Sequence, residues 1–450
     1  MADRSDSNRF SSRARRYARV STSVGGVAAR MVGERIMGRS ANHAVNAAAL
    51  KQVLGSLKGP LMKVAQMLAT IPGAVPKEYA AELSQLQQNA PSMGWPFVKR
   101  RMTSELGPDW QSRFETFEHE ASAAASLGQV HKATGHDGRL LACKLQYPDM
   151  ASAVEADLQQ LKIFFSVFQR YDRSIDPSDI HAEIGMRLRE ELDYAMEAKH
   201  MALYGRMLGA AKRVHIPEGV PELSTKRLLT MTWLDGKPLL DSREEPLEVR
   251  NEIARNMFAA WWEPFHHYGV IHGDPHLGNY SVREDRTINL LDFGCIRKFK
   301  PKFVGGVIDL YRALEADDRD LAVHAYETWG FHGLSNEVID ALNMWAAFIY
   351  GPLLDNRSRV IQEFGTSMSF GRDVAEKVHT RLRELGPVKP PQEFVFLDRA
   401  AVGLGGVFLH LKAEINWHDL FEEVIKGFSL EDLAKRQKKT LEAVGLEAPV

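Results

Sequence analysis

Three polar residues in the stretch VIHGDPHLGNYSVREDRTINLLDFG, residues 270–294, have types and spacing that could do chemistry. Asp274 and Asn279 lie five residues apart on a loop whose turns are set by Gly273, Pro275 and Gly278. Asp292 follows thirteen residues after Asn279, at the end of an apolar strand. A metal that bridges phosphates wants hard oxygen ligands from a carboxylate and an amide. A second carboxylate must lie near the attacking nucleophile to accept its proton or orient it. On this reading Asn279 and Asp292 hold magnesium, and Asp274 is the base or orienting group. Gly-Asp-Pro is also common turn chemistry, so a hairpin with polar turns is the plain alternative; the three-part spacing argues against it. His266, His267, His272 and His276 crowd the same region, but no His-Glu-x-x-His spacing or cysteine partner accompanies them. His272, with His276, reads as a residue that orients the loop.

The spacing is the one protein kinases use for their catalytic loop and Asp-Phe-Gly element, and that pattern makes demands elsewhere. A lysine should end a strand of a small sheet and reach the nucleotide phosphates; LLACKLQYP supplies Lys144. A glutamate on a helix should pair with it; EELDYAMEAKH supplies Glu197. A tight loop of small residues should precede the lysine, so that backbone N–H groups approach phosphate. ASAAASLGQVHKA, residues 121–133, is that loop, with Ala123, Ala124, Ala125, Ser126 and Gly128 as its candidate phosphate contacts. Alanines hold most of the places where glycines are expected. The hinge falls at LLTMTWLDG, residues 228–236, where the backbone around Met231 and Trp233 would meet an adenine ring.

These residues need a scaffold, and the patterning supplies one. Residues 1–20 are irregular, and helical spacing of Ala, Val, Leu and Met runs from about 21 to 70. Further helices are expected at 77–90 and from Trp95 to Glu105, the latter ended by Gly107-Pro108. Short β-prone pieces then follow, Phe114–Phe117, Gln129–Ala133 and Leu140–Gln146, with a turn at 135–138: a small antiparallel sheet. Helices are expected at 151–170 and, unbroken, at 178–208. Strands return near 213–216 and 227–233, and after Gly236-Lys237-Pro238 nearly everything is helical apart from the opening stretch and a strand at 287–292. The expected fold is α+β and protein-kinase-like, a small antiparallel-sheet lobe and a mainly helical lobe, with a nucleotide in the cleft between them. The expected division is a basic, partly disordered or amphipathic segment (1–50), a helical extension (51–112), a sheet lobe with inserted helices (113–236) and a helical lobe (237–450).

Composition narrows the function classes. Formal net charge is −1, so the chain is no generic nucleic-acid binder. Residues 1–40 are locally basic, with nine arginines against Asp3, Asp6 and Glu34. Such a run is either a solvated terminus or a peripheral contact with anionic lipid, where each basic residue contributes about 1 kcal/mol. Arg297, Lys298, Lys300 and Lys302 pose the same choice between water and lipid phosphate. The two cysteines, Cys143 and Cys295, form no disulfide framework or zinc motif and suit a reducing compartment; both read as small packing residues. No apolar run reaches the roughly 18 residues of a spanning helix. Residues 344–354 and 400–411 read instead as buried helices. The expected location is cytoplasmic and at most membrane-peripheral, or mitochondrial in a eukaryote.

Taken together, Ala-Ala-Ser-Leu-Gly-Gln-Val-His, Cys-Lys-Leu-Gln-Tyr-Pro, Glu-Leu-Asp-Tyr and His-Gly-Asp-Pro-His-x-Gly-Asn resemble the UbiB family of atypical kinases, from about residue 50 to at least 300. The resemblance implies a kinase-like ATPase that binds ATP with Mg2+ and supports ubiquinone or related prenyl-lipid biosynthesis, with protein phosphorylation suppressed. It implies a prenyl-lipid or quinone intermediate as partner. It also implies that a Lys-x-Gly-Gln extension, here LMKVAQML with Lys63 and Gln66, folds across the usual peptide site, its lysine close to Glu191 and Asp193. Three carboxylates, Glu191, Asp193 and Glu197, are expected on one helix, one face serving Lys144 and another Lys63. Ala65 stands where the family has Gly, Leu277 where it has Pro, and Thr232 where the hinge often has Glu. After Asp-Phe-Gly, CIRKFKPKF is short and basic with no Ala-Pro-Glu nearby, unlike a peptide-docking segment. Two alternatives remain: a small-molecule phosphotransferase of the aminoglycoside- or choline-kinase kind, and a nucleotide-binding pseudokinase scaffold.

Overall fold

The computed structural model describes residues 93–125, 127–168, 177–361, 378, 381 and 391–449. Lys63, Gln66 and Ser126, and the helices expected at 21–70 and 77–90, lie outside the described residues. The chain divides into two compact units. One comprises residues up to Tyr194 with Val220–Thr230, the other Ala195–Gly219 and Met231 onward.

The first unit is built on a five-stranded sheet. Its strands are β1 (Thr116–Phe117), β2 (Ala123–Ala125), β3 (Gly128–Thr134), β4 (Leu140–Gln146) and β6 (Leu228–Thr232, of which Leu228–Thr230 belong to this unit). The order is β1-β3-β4-β6, with β2 also paired to β3. Strand side chains alternate between faces, and here the alternation separates packing from chemistry. Leu141, Cys143 and Leu145 of β4 point to a core with Val98, Met102 and Leu106 of α1 (Trp95–Leu106), together with Trp110 and Phe114. Ala142, Lys144 and Gln146 therefore point the other way. Helix α1 begins with Pro96 in its first turn and stops at Gly107, whose φ of 94° suits glycine. The sheet matches the expectation, although Phe114 caps a 3-10 turn and only Thr116–Phe117 pair.

The unbroken helix expected at 178–208 is two. After α2 (Met150–Phe168), α3 spans Pro177–Glu190 and α4 spans Tyr194–Leu208. Tight bonds close the gap: Leu192 N–H donates to Arg189 O and Asp193 N–H to Glu190 O. The Leu192 carbonyl accepts from Gln146 Nε2 at 2.6 Å, and Tyr194 is buried. Tertiary contacts thus override a run of good helix formers. Glu191 and Asp193 consequently stand in a turn, and only Glu197 is helical; the expected single acidic helix is corrected.

The second unit is mainly helical around α5 (Leu247–Tyr268), with Trp261 and Phe265 fully buried. Gly269 ends α5 in the left-handed region, φ 62°, its N–H bonded to Phe265 O at 2.8 Å. A Cβ there would collide with Phe299 O at 2.8 Å and with Gln437 Nε2. Gln437, on α11 (Leu430–Glu442), donates to Tyr268 O and Phe299 O, each at 2.8 Å. This pinned corner delivers β8 (Val270–His272), paired antiparallel with β11 (Ile296–Lys298). A four-stranded sheet, β5 (Val214–His215), β10 (Ile288–Leu290), β9 (Tyr280–Val282) and β7 (Lys237–Pro238), lies beside it in sequence. These short strands amend the expectation of an almost purely helical segment. Helices α6 (Pro301–Ala316), α7 (Arg319–Thr328), α8 (Asn336–Tyr350), α9 (Gln392–Leu411) and α10 (Trp417–Ile425) complete the unit, with a two-stranded ladder, β12 (Ser358–Val360) and β13 (Glu414–Asn416). The buried helices expected at 344–354 and 400–411 are only partly so: α8 stops at Tyr350, and Met344 and Val402 are exposed. Among the described residues no helix is long and apolar enough to cross a membrane.

Candidate functional site

In the first unit, β2 and β3 form a hairpin with Ala123 opposite Val130 and Ala125 opposite Gly128. The expected small-residue loop is therefore mostly strand, with Ala123 and Ala124 exposed along it. Alanine prefers helix; pairing to β3 decides otherwise. Gly128 has a packing reason of its own. A Cβ on it would run into the Leu145 carbonyl oxygen and lie 2.9 Å from the Tyr194 hydroxyl. Gly128→Ala should therefore destabilise the protein by about 2–3 kcal/mol, read as a lowered denaturation midpoint; an unchanged midpoint would show that β4 yields freely.

Lys144 is opposite Val130 and buried, with Nζ 5.3 Å from the Tyr194 ring centroid. A cation so placed gains from the ring quadrupole. The end of its strand is held from α1. Arg101 donates through Nε to Gln146 O and through Nη2 to Tyr147 O, both at 3.0 Å, and through Nη1 to Glu105 at 3.1 Å. Glu105 also meets Arg227 Nε at 2.9 Å and the Thr225 hydroxyl at 2.7 Å.

Gln129 and His131, on the core side of β3, form a buried polar chain. Gln129 accepts from Met93 N–H at 2.7 Å, and its own amide N–H lies 3.2 Å from Met93 O. The same amide nitrogen is 2.8 Å from His131 Nε2, and His131 Nδ1 is 2.9 Å from Glu118 O. The only consistent assignment has His131 neutral, accepting at Nε2 and donating at Nδ1. Burial, above all, holds its pKa below the ordinary 6.5. The unfolded chain then takes up a proton near pH 6.5 that the folded chain resists, so this stability is present above that pH and is lost as pH falls below it. A denaturation series from pH 7 to pH 5 should show a falling midpoint, with a smaller fall in His131→Phe; an equal fall in both would assign the effect elsewhere.

The second unit arranges the loops. His272 is fully buried. Its Nε2 lies 2.6 Å from Asp292 O, and its Nδ1 accepts from Asp274 N–H at 3.3 Å. Nε2 therefore carries the proton, and one imidazole ties the two acidic loops together. Trp261 supports it, with its indole N–H 3.0 Å from His272 O and its ring 5.2 Å from the imidazole. Asn279 Nδ2 donates to Asp274 O at 3.1 Å, and Leu291 N–H to Asn279 O at 2.8 Å. Asp274 Oδ1 accepts from His276 N–H at 3.2 Å, and His276 Nδ1 from Gly278 N–H at 3.1 Å. The Tyr280 hydroxyl donates to Pro275 O. Asp292 Oδ1 accepts from Gly294 N–H at 3.0 Å. Both histidines thus orient the loop.

Helix α4 grips the Asp-Phe-Gly turn from the other side. The Glu197 carboxylate lies 3.5 Å from Phe293 N, and His200 Nδ1 is 3.1 Å from Phe293 O. Nothing in their spacing singles out His200 or Tyr194, although both flank Glu197 in EELDYAMEAKH. At the hinge, Thr232 N–H donates to Glu218 O and Glu218 N–H to Thr232 Oγ1, each at 2.9 Å. Met231 is bridged to Gly219, and the Trp233 indole donates to Asp235 at 2.8 Å. Thr232 N–H is thus engaged within the protein.

The donor set fits magnesium: a carboxylate on Asp292, and an amide on Asn279 whose N–H is directed to Asp274 O, leaving oxygen as its ligand-type atom. No histidine or cysteine is needed. Cys143 is fully buried, its thiol pushed up to about 12 by burial. Of the basic run, Arg297 lies over the Phe396 ring at 4.9 Å and Lys298 donates to Glu447 O at 2.7 Å, while Lys300 and Lys302 are exposed.

A mixed α+β fold with this paired loop arrangement defines a kinase-like protein. The ABC1 atypical kinase-like domain model matches residues 85–325. The chain belongs to that family of atypical kinases, the UbiB-type group its motifs resemble. It is 27% identical over 391 residues to the mitochondrial atypical kinase coq-8 of Caenorhabditis elegans, covering 85% of this chain and 51% of that protein. It is 26% identical over 389 residues to the mitochondrial atypical kinase COQ8B of Rattus norvegicus, covering 84% and 71%. The chain thus spans about half the length of the worm relative. A solved structure of Rv3197 from Mycobacterium tuberculosis in complex with erythromycin is similar at a TM-score of 0.59 and 27% identity, covering 88% of this chain and 98% of that one.

Proposed function

We propose that the chain is an ATP-dependent atypical kinase of the ATPase kind, acting in ubiquinone or related prenyl-lipid biosynthesis. Lys144 engages nucleotide phosphate, Asn279 and Asp292 hold magnesium, and Asp274 orients or deprotonates the attacking group. Bound magnesium would neutralise phosphate charge; the protein contributes position and a fixed field. The observation that carries this reading is His272, which bridges Asp274 N–H and Asp292 C=O and so fixes both acidic loops before any ligand arrives. Adenine contact falls to the backbone of Met231 and Trp233, since Thr232 N–H is engaged by Glu218. The strand Ala123–Ala125 and Gly128 lie over the phosphates, and Lys63, Gln66, Glu191 and Asp193 form the regulatory extension contact. A peripheral membrane contact through residues 1–40 belongs to the same reading.

Protein phosphorylation is excluded from the proposal for a geometric reason. Only residues 295–300 separate Gly294 from Pro301 of α6, and Ile296–Lys298 are committed to β11. No room is left for a peptide-docking segment. The same shortness suits a small-molecule phosphotransferase, which is the second reading. Incubation with γ-labelled ATP and magnesium separates them. Released inorganic phosphate supports the ATPase, a labelled small molecule supports the alternative, and nucleotide binding with neither product leaves a scaffold.

A further inference from the structure

The helical unit contains an apolar cavity of about 320 Å³, with no residue of 270–294 in its wall. That volume falls in the range of small-molecule sites, roughly 300–1,000 Å³. Trp262, Trp329, Trp345 and Trp417 contribute four indoles, and among the described residues no lysine, arginine or histidine lines it. Its carboxylate, Asp398, accepts from the Trp345 indole N–H at 2.7 Å. An apolar void forfeits dispersion contacts along its whole lining, and cavities of this kind take up apolar molecules rather than water.

One wall is α9 (Gln392–Leu411). Two of its glycines, Gly405 and Gly406, line the cavity, and a Cβ on either would meet nothing within 4 Å. Gly403 of the same helix touches the catalytic loop instead. A Cβ there would overlap the Pro275 ring, reaching Cγ first, with Cβ at 3.2 Å and Cδ at 3.5 Å. Pro275 follows Asp274 directly. The helix is therefore a thin partition between the cavity and the loop, with no side chain at the three glycines to absorb a displacement.

We infer that this cavity binds an uncharged, largely apolar small molecule with an aromatic or branched hydrocarbon body, and that its occupancy is felt at Asp274 through the Gly403–Pro275 contact. The binding half stands on the cavity alone, whereas the coupling half rests on the nucleotide reading above. The test uses the uncharged two-ring probe N-phenyl-1-naphthylamine with the full chain, followed by energy transfer from tryptophan. Saturable one-to-one transfer is expected. Gly406→Leu, which fills the cavity from α9, should weaken it at least tenfold without lowering the denaturation midpoint, and Ala401→Phe is a second filling variant. Saturating probe should change the affinity for a fluorescent ATP analogue at least threefold in the wild type and not in Gly406→Leu. No saturable transfer, or transfer that survives both variants, overturns the site. Saturable binding with unchanged nucleotide affinity overturns the coupling. A chain that binds no nucleotide at all would sink the proposed function and the coupling with it, but not the cavity site.

Discussion

Asp292→Asn should lower magnesium-dependent ATP turnover by at least about 100-fold, because loss of groups that merely support metal ligands already costs 10–100-fold. The fold should survive. Asparagine keeps an oxygen to accept from Gly294 N–H, the bond Asp292 Oδ1 makes at 3.0 Å. The His272 bond is made to the Asp292 backbone carbonyl and does not depend on the side chain. The substitution therefore removes a negative charge while keeping these two bonds, and the loss should be in metal affinity as well as rate. Titration of magnesium against nucleotide binding, alongside a thermal melt, checks both. Near-normal turnover with a normal melt would remove Asp292 from the metal site.

The largest stability effect should come from Arg101→Met, at about 3–5 kcal/mol. Its guanidinium holds two consecutive carbonyls, Gln146 O and Tyr147 O, and one oxygen of Glu105. The side chains of Arg101 and Glu105 are only 8% and 5% exposed. Removing the arginine leaves the two carbonyls without a donor and an acidic group short of one partner, although Arg227 still meets it. Methionine fills much of the volume, so packing loss is a minor part of the expectation. Equilibrium denaturation reads the difference, and the partner variant Glu105→Gln should cost less because it leaves the cation bonded to both carbonyls. An Arg101→Met cost below about 1 kcal/mol would mean that water replaces the guanidinium.

The histidine-rich stretch was legible because its chemistry is local: Gly, Pro, Asp and Asn dictate turns within a few residues of themselves. The strand that carries Lys144 was legible for the same kind of reason, as the β-prone run Leu140–Gln146 after a Gly-rich turn. The break at Glu191–Asp193 was not, because its cause lies far away in sequence, where Gln146 takes the Leu192 carbonyl. The strand at Ala123–Ala125 was half legible. Its position between β-prone pieces pointed correctly, while alanine's own preference pointed to helix. The roles of Gly128 and Gly403 were hidden altogether: each is glycine because another chain segment comes close, a fact that no spacing records.

Gln437 has a consequence for the order of assembly. Its amide closes the corner where Tyr268 and Phe299 meet, and that corner aims the strand leading into His272 and Asp274. A growing chain therefore makes every proposed phosphate-binding residue long before it makes the side chain that locks their approach. Compact units tend to fold in turn as they emerge from the ribosome, so nucleotide competence should arise late and abruptly, when α11 docks. Nascent chains stalled before Leu430 and after Glu442 would differ in nucleotide retention on this account, and equal retention would place the lock elsewhere.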